Sequence, residues 1–299
     1  MRKYIKTNAL AVMSNSLKIK ISAFLISILY LLFLSLFTVP GIEHYVIIAF
    51  YNVMLWINAE TRKFMLAFTI FVIFAILYDL MKLYPNYLVN SVDISGLYFF
   101  EKSHFGIKEA GEIITPNEYF NRHHSITSDI ISAIFYLNWI PVPLAFAVYL
   151  YFKRKQVYYD FAYTFFIVNL IGFAGYYIHP AAPPWYIELH GFSFHPGVMG
   201  NTAGFARFDQ LIHLPVFHAI YAKNSNVFAA IPSLHCAYPV VVLYYGLRAK
   251  LGKVNLLLVL FMAGIWFAAV YSGHHYVTDV ILGVGCAVIG IALYQWKWG

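Results

Sequence analysis

Charge is what this chain has least of. Only 11% of its 299 residues are Asp, Glu, Lys or Arg, against about 25% in soluble domains. Apolar residues make up 61% and mean hydropathy is +0.68. A soluble core of this length cannot bury so much apolar surface, so the chain reads as an integral membrane protein. Cysteine is nearly absent. Cys236 and Cys286 both lie inside apolar runs, which excludes a disulfide framework and a zinc–thiolate site. Acidic residues number 13 against 20 basic ones. That surplus is ordinary for cationic cytoplasmic loops and calls for no nucleic-acid partner. Internal repeats and low-complexity tracts are missing too, so residues 1–299 read as a single membrane domain. What is abundant is aromatic, at 19%, which suits lipid-facing helices with interfacial belts.

Apolar runs bounded by charge or turn residues fall near 21–39, 43–58, 63–81, 130–152, 159–178, 227–247, 254–272 and 276–296. A bilayer core needs about 20 helical residues, so the second run is short. The first run lacks a small-x-small cleavage site and reads as a retained helix. Lys and Arg set the orientation. Arg2, Lys3, Lys6, Lys18 and Lys20 precede the first run, Arg62 and Lys63 the third. Lys153–Lys155 follow the fourth, Arg248, Lys250 and Lys253 the sixth, and Lys297 the eighth. All of them fall on the cytoplasmic side if there are about eight crossings. The expected architecture is therefore all-α: a polytopic bundle with an N-terminal hairpin (1–62) before a six-helix core (63–299). Loops 82–129 and 179–226 then face the exoplasmic side. All 12 histidines lie in those loops or near the same ends of the spans.

Within this apolar setting, "VYSGHHYVTDVILG" (270–283) carries two histidines and an aspartate. On a helix, His275 and Asp279 are i and i+4, within about 40° on one face, whereas His274 and Asp279 are about 140° apart. Asp279 can then bond one ring nitrogen of His275, fix its tautomer and raise its basicity. This serves a nucleophile or a general base equally well, and also a His–Asp pair that merely satisfies itself at a helix end. A second element, "AAIPSLHCAYP" (229–239), brings His235 to the same membrane face through one helical hairpin. A third, "GYYIHPAAPPWYIE" (175–188), ends the fifth run there.

"PSLH" (232–235) followed by "HHYVTD" (274–279) resembles the second and third motifs of the type 2 phosphatidic acid phosphatase superfamily. "HPAAPPWY" (179–186), "YDLMKLYPNY" (78–87), "TPNEYF" (115–120) and the His-His doublet are similar to its inositol phosphorylceramide synthase branch. The resemblance covers roughly 75–295. It implies a transfer of phosphoinositol, or a similar head group, from a glycerophospholipid such as phosphatidylinositol to the primary hydroxyl of ceramide, with release of diacylglycerol. His275 would be the nucleophile, forming a phosphohistidine and held by Asp279. His235 would be the acid and then the base, and Ser233 would sit in the phosphate pocket. No metal or other cofactor and no protein partner is implied. The active face would be periplasmic in a bacterial inner membrane and lumenal in a Golgi membrane.

Two positions depart from the phosphatase pattern. Ala269 stands where an arginine precedes the nucleophile, and Tyr176 and Pro183 stand where the first motif has lysine and arginine. A phosphate monoester carries about −1.5 to −2 charge and suffers most from that loss, so the pattern favours a phosphodiester. Lys82 and Arg122 are the expected replacement cations, ahead of His123, His124, Arg207 and Lys223. His179 and His274 are expected head-group or phosphate contacts. Three rivals remain. One is a phosphatase of lipid phosphates or polyprenyl pyrophosphates. Another is a di-iron oxidase, suggested by "HGFSFH" (190–195) and "HLPVFH" (213–218) but lacking an H-x-x-H-H box. The last is a transporter, which would need more charge near mid-membrane than Asp79 and Asp160 supply.

Overall fold

The computed structural model describes residues 2–223 and 226–298, and the chain divides into two compact units, Met1–Val72 and Ile73–Gly299. In the first, α1 (Arg2–Ser35) and α2 (Ile42–Ile57) form a hairpin, followed by α3 (Ala59–Leu80), which runs into the second unit. A polar residue in an apolar helix needs an internal partner. Asn52 finds two, donating to Ser27 Oγ and to the Ile48 carbonyl, each at 2.9 Å. Asn58 starts α3 as a cap: its Oδ1 accepts from Glu60 N at 2.8 Å and Thr61 N at 2.9 Å.

The second unit does not begin with the plain loop expected at 82–129. That stretch folds into α4 (Gly96–Phe105), a hairpin of β1 (Ile107–Glu109) and β2 (Glu112–Ile114), and α5 (Pro116–Arg122). Gly111, at φ +87°, supplies the hairpin turn that few other residues tolerate. α5 opens on a capping box: Thr115 and Glu118 each bond the other's backbone N–H. The fourth apolar run is broken rather than continuous. α6 (Ile126–Leu137) and α7 (Pro141–Lys153) meet at 42°, because Pro141 and Pro143 cannot continue the preceding helix. After α8 (Lys155–Ile178), the second long loop holds α9 (Pro184–His190), α10 (Ala206–Ile212) and α11 (Val216–Tyr221).

The bundle closes with α12 (Leu234–Arg248), α13 (Val254–Tyr271) and α14 (Val277–Trp298). Among the described residues five helices are long and apolar enough to cross a bilayer, or six if the bent α6–α7 pair crosses as one span. The 16-residue α2 matches its short expected run, whereas the 15-residue α12 is shorter than the run at 227–247. α12 begins at Leu234 rather than 227, because Ala229 pairs with Ala181 in a backbone bridge and Pro232 and Ser233 end that extended segment.

α12 packs against α8, α13 and α14, with α14 against α8 and α13 against α6. Small residues permit this approach. A Cβ on Gly283 would collide with the Ser233 carbonyl oxygen, so α14 and the start of α12 touch backbone to backbone beside the histidines. Cys236 and Cys286 are free and buried. Three loop segments are knitted together near the same helix ends: Asp93 N donates to Pro180 O at 2.7 Å, Ala182 N to Asp93 O at 2.9 Å, and Ala181 N to Phe228 O at 3.0 Å.

Candidate active site

His235 sits in the first turn of α12, capped by Ser233, whose hydroxyl accepts from Cys236 N at 3.4 Å. The Ser233 N–H in turn donates to the Asp279 carbonyl at 3.1 Å. That bond ties the start of α12 to the first turn of α14, and so His235 to the neighbourhood of His275. Trp139 packs edge-on against the His235 ring at 4.3 Å between centroids.

His275 lies in the turn between α13 and α14, before the helix starts. Gly273, at φ +76°, reverses the chain at the end of α13. His275 N then donates to Ala269 O at 3.0 Å. Two outside segments pin the turn: Trp185 N donates to Gly273 O at 3.0 Å and Gly204 N to Ser272 O at 2.8 Å. The His275–Asp279 pair forms, with Nδ1 3.4 Å from Oδ2, but not through the helical face that the i, i+4 spacing suggested. Asp279 is the third residue of α14 and reaches back to the turn, where its Oδ2 also accepts from Tyr276 N at 2.9 Å.

On its other side His275 meets His235, with Nε2 3.1 Å from His235 Nδ1. The chain of bonds assigns the protons. With the His275 Nδ1–H donated to the carboxylate, its Nε2 holds a lone pair, and His235 donates from Nδ1. Both His275, at 5% exposure, and Asp279, at 0%, are shut off from bulk water. They can therefore support a nucleophilic nitrogen beside a proton carrier.

A cavity of about 180 Å³ opens onto His235, His274 and His275, walled by Tyr136, Trp139, Tyr176, Trp185 and Tyr221. Among the described residues Lys223 is its single Lys or Arg. His274 lines it as a buried, neutral ring. Its Nε2 donates to Asn201 O at 3.1 Å, its Nδ1 faces Ser272 Oγ at 3.0 Å, and Tyr221 stacks on it at 4.3 Å. Burial, with His275 adding to it, pushes its pKa down to about 3, so it offers a phosphate no charge.

The other expected contacts are not at this cavity. Ser233 is the α12 cap, fully buried, and does not line it. Lys82 pairs with Asp79 at 2.7 Å. His179 is half exposed and pairs with Asp93 at 3.2 Å. Arg122 pairs with Glu109 at 2.8 Å. It lines a separate cavity of about 280 Å³, with Glu118, Glu188, Arg207, Ser272 and Tyr276. The Asp79 partner of Lys82 is three residues away and readable from spacing, whereas the partners of Arg122 and His179 come from other elements. Among the described residues no group of three or more His, Cys, Asp or Glu is placed to hold a metal ion.

Two contributors went unnoticed in the sequence. Asn117, buried at 5%, donates to Val270 O at 2.8 Å and His275 O at 2.9 Å. Glu101, at 0% exposure, binds the start of α14. Burial raises the Glu101 carboxyl above its ordinary pKa, and bonds from Thr278 and Val277 pull it back. The one available signal was the Thr115–Glu118 capping pattern, which marks a helix start at Pro116 and places Asn117 in its first turn.

The model of the PAP2 superfamily matches residues 112–293. The chain is 48% identical over 256 residues to the phosphoinositol dihydroceramide synthase of Bacteroides thetaiotaomicron, covering 85% of this chain and 84% of that protein. It is 27% identical to the inositol phosphorylceramide synthase of Candida albicans, over 57% of this chain and 37% of that one. To the inositol phosphorylceramide synthase catalytic subunit of Saccharomyces cerevisiae it is 30% identical, over 43% of this chain and 31% of the yeast protein. No solved structure matches.

Proposed function

The chain belongs to the PAP2 superfamily, and on that premise we propose that it is a membrane phosphotransferase moving phosphoinositol from a glycerophospholipid to the primary hydroxyl of a ceramide-type lipid. The observation that carries this reading is the bonded series Asp279–His275–His235 at a cavity whose walls hold one Lys or Arg. A mono-anionic diester needs less compensating charge than a monoester, and the similarity to a phosphoinositol dihydroceramide synthase points the same way.

In this reading the diester enters between the two rings and displaces their mutual bond. His275 Nε2 attacks phosphorus and the bond to the diacylglycerol oxygen breaks. His235 gives that oxygen its proton, releasing diacylglycerol and leaving the head-group phosphate on His275. The acceptor hydroxyl then loses its proton to His235 and attacks phosphorus, and the nitrogen–phosphorus bond breaks. Asp279 holds the imidazole while charge develops on it. Apolar walls keep water from competing with the lipid alcohol.

We place the site on the exoplasmic face. The histidines gather at the helix ends opposite the basic turns Lys153–Lys155 and Arg248–Lys253, and such basic turns face the cytoplasm.

The test is product analysis with purified protein in nanodiscs, supplied with labelled phosphatidylinositol with and without ceramide. Diacylglycerol that forms only with ceramide, together with labelled phosphoinositol ceramide, is the expected result. Free inositol phosphate formed without ceramide would turn the reading toward hydrolysis.

A further inference from the structure

Glu101 is a carboxylate at 0% exposure on α4, and no step above uses it. Such burial is strongly unfavourable unless donors replace the lost hydration. Its donors all come from one place. Oε1 accepts from Val277 N at 2.8 Å, and Oε2 from Thr278 N at 3.1 Å and Thr278 Oγ1 at 2.7 Å. These are the first two residues of α14, where backbone N–H groups have no partner within the helix.

The third residue is Asp279. A carboxylate at that position folds back onto the open N–H groups of its own helix start, drawn by hydrogen bonding and by the helix dipole. Asp279 already does so once, through Tyr276 N at 2.9 Å, while holding His275 Nδ1 at the longer distance of 3.4 Å. More open amides would draw it further from the ring. Glu101 occupies two of them.

We propose that Glu101 is a positioning residue: by holding the Val277 and Thr278 amides it leaves Asp279 to His275, and so sets the orientation and basicity of that imidazole. It touches no reacting atom and acts through Asp279. The same stretch of chain grips His275 a second time, through the bond from Asn117 to its carbonyl. The segment 96–117 thus holds both the backbone of His275 and the helix start that carries Asp279. The proposal rests on His275 being the nucleophile.

Glu101→Gln keeps the shape but offers one acceptor oxygen. Its amide group must face the N–H of either Val277 or Thr278, so one of these opens. Thr278→Val removes only the hydroxyl donor and keeps the carboxylate. In the full-length protein in nanodiscs, Glu101→Gln is expected to lower kcat ten- to a hundredfold. KM for the phosphatidylinositol donor and for ceramide should stay within twofold. Thr278→Val is expected to lower kcat no more than threefold. A kcat within twofold of wild type in Glu101→Gln, or a loss carried wholly by KM, overturns the proposal.

If Glu101→Gln is not recovered folded, Glu101→Asp decides. It keeps both oxygens on a shorter arm, so a lower kcat at unchanged KM upholds the proposal and a wild-type kcat ends it. A measurement without lipid substrate separates this inference from the functional reading. Diethyl pyrocarbonate acylation of His275 at pH 8, followed by mass spectrometry, should be at least fivefold slower in Glu101→Gln. A wild type that transfers no head group but shows this slowing would defeat the functional reading alone; acylation at the wild-type rate would defeat the positioning role.

Discussion

Two cavities use the turn Ser272–Tyr276 as a wall. One is lined by Glu118, Arg122, Glu188 and Arg207, the other by His235, His274, His275, a set of aromatic rings and Lys223. The charged cavity would attract attention first in a search for a phosphate site. Each of its charged groups, however, already has a local partner: Arg122 pairs with Glu109, Arg207 Nε with Asp129 at 2.8 Å, Glu188 with Asn121, and Glu118 with Tyr98 at 2.9 Å, while Arg207 Nη2 is left without a hydrogen-bond partner. Most of the formal charge in this wall is therefore committed before a ligand arrives. The histidine cavity is poor in cations but has at its edge an imidazole held by a carboxylate. The difference argues for chemistry on a singly charged phosphorus centre, where an oriented imidazole matters more than a cluster of guanidiniums.

Substitutions can break that comparison. The largest effect belongs to the bonded series. His275→Ala should reduce transfer below detection while the protein stays folded. Asp279→Asn should lower kcat by about 10³–10⁴-fold, the scale for removing a carboxylate that orients a catalytic histidine. Both are read by single-turnover release of diacylglycerol.

The two cavities should then part company. Lys223→Ala should raise KM for the donor lipid about tenfold, the worth of about 1.4 kcal/mol. Arg122→Ala should change neither kcat nor KM by more than twofold. The reverse result would move the phosphate into the charged cavity.

Smaller effects test the supports. Ser233→Ala removes a cap and should lower stability by about 1 kcal/mol, seen as a lower melting temperature with KM unchanged. A large KM effect would restore Ser233 to the phosphate pocket. A further effect is pH-dependent. His274 stays neutral in the fold down to about 3, whereas in the unfolded chain it takes a proton near pH 6.5. Between those values the unfolded state binds more protons, so stability falls as pH drops from about 6.5 toward 3. Thermal unfolding of His274→Gln should show a shallower fall over that window.

Much of the architecture was legible in the chain. The apolar runs are helices because a membrane-crossing backbone must satisfy its hydrogen bonds internally. The break at Pro141 and Pro143 was readable in principle, since proline cannot extend a helix already begun. The expected pairing of His275 with Asp279 occurs, though through a turn and a helix start rather than one face of a continuous helix. The expected cations fared differently. Lys82 pairs with Asp79 three residues before it, a spacing readable in the chain, whereas Arg122 and His179 found acidic partners that spacing does not disclose. The segment 82–129 read as loop because its elements are short and its hydrophobic period is weak.

From the chain alone follow its character as a helical membrane protein, the meeting of His235, His275 and Asp279 near one set of helix ends, and the absence of cations at motif positions 176, 183 and 269. Those properties follow from local quantities: apolar run length, helix-stopping residues and identity at motif positions. Only the tertiary structure decided which charges are already engaged, that Ser233 serves as a cap, and that Glu101 and Asn117, more than 150 residues from His275, hold its turn in place. Hydrogen bonds across such separations depend on how the loops are folded over the bundle ends. No periodicity or spacing in the chain encodes them, since the energy that selects each pair is a difference between alternative partners in space.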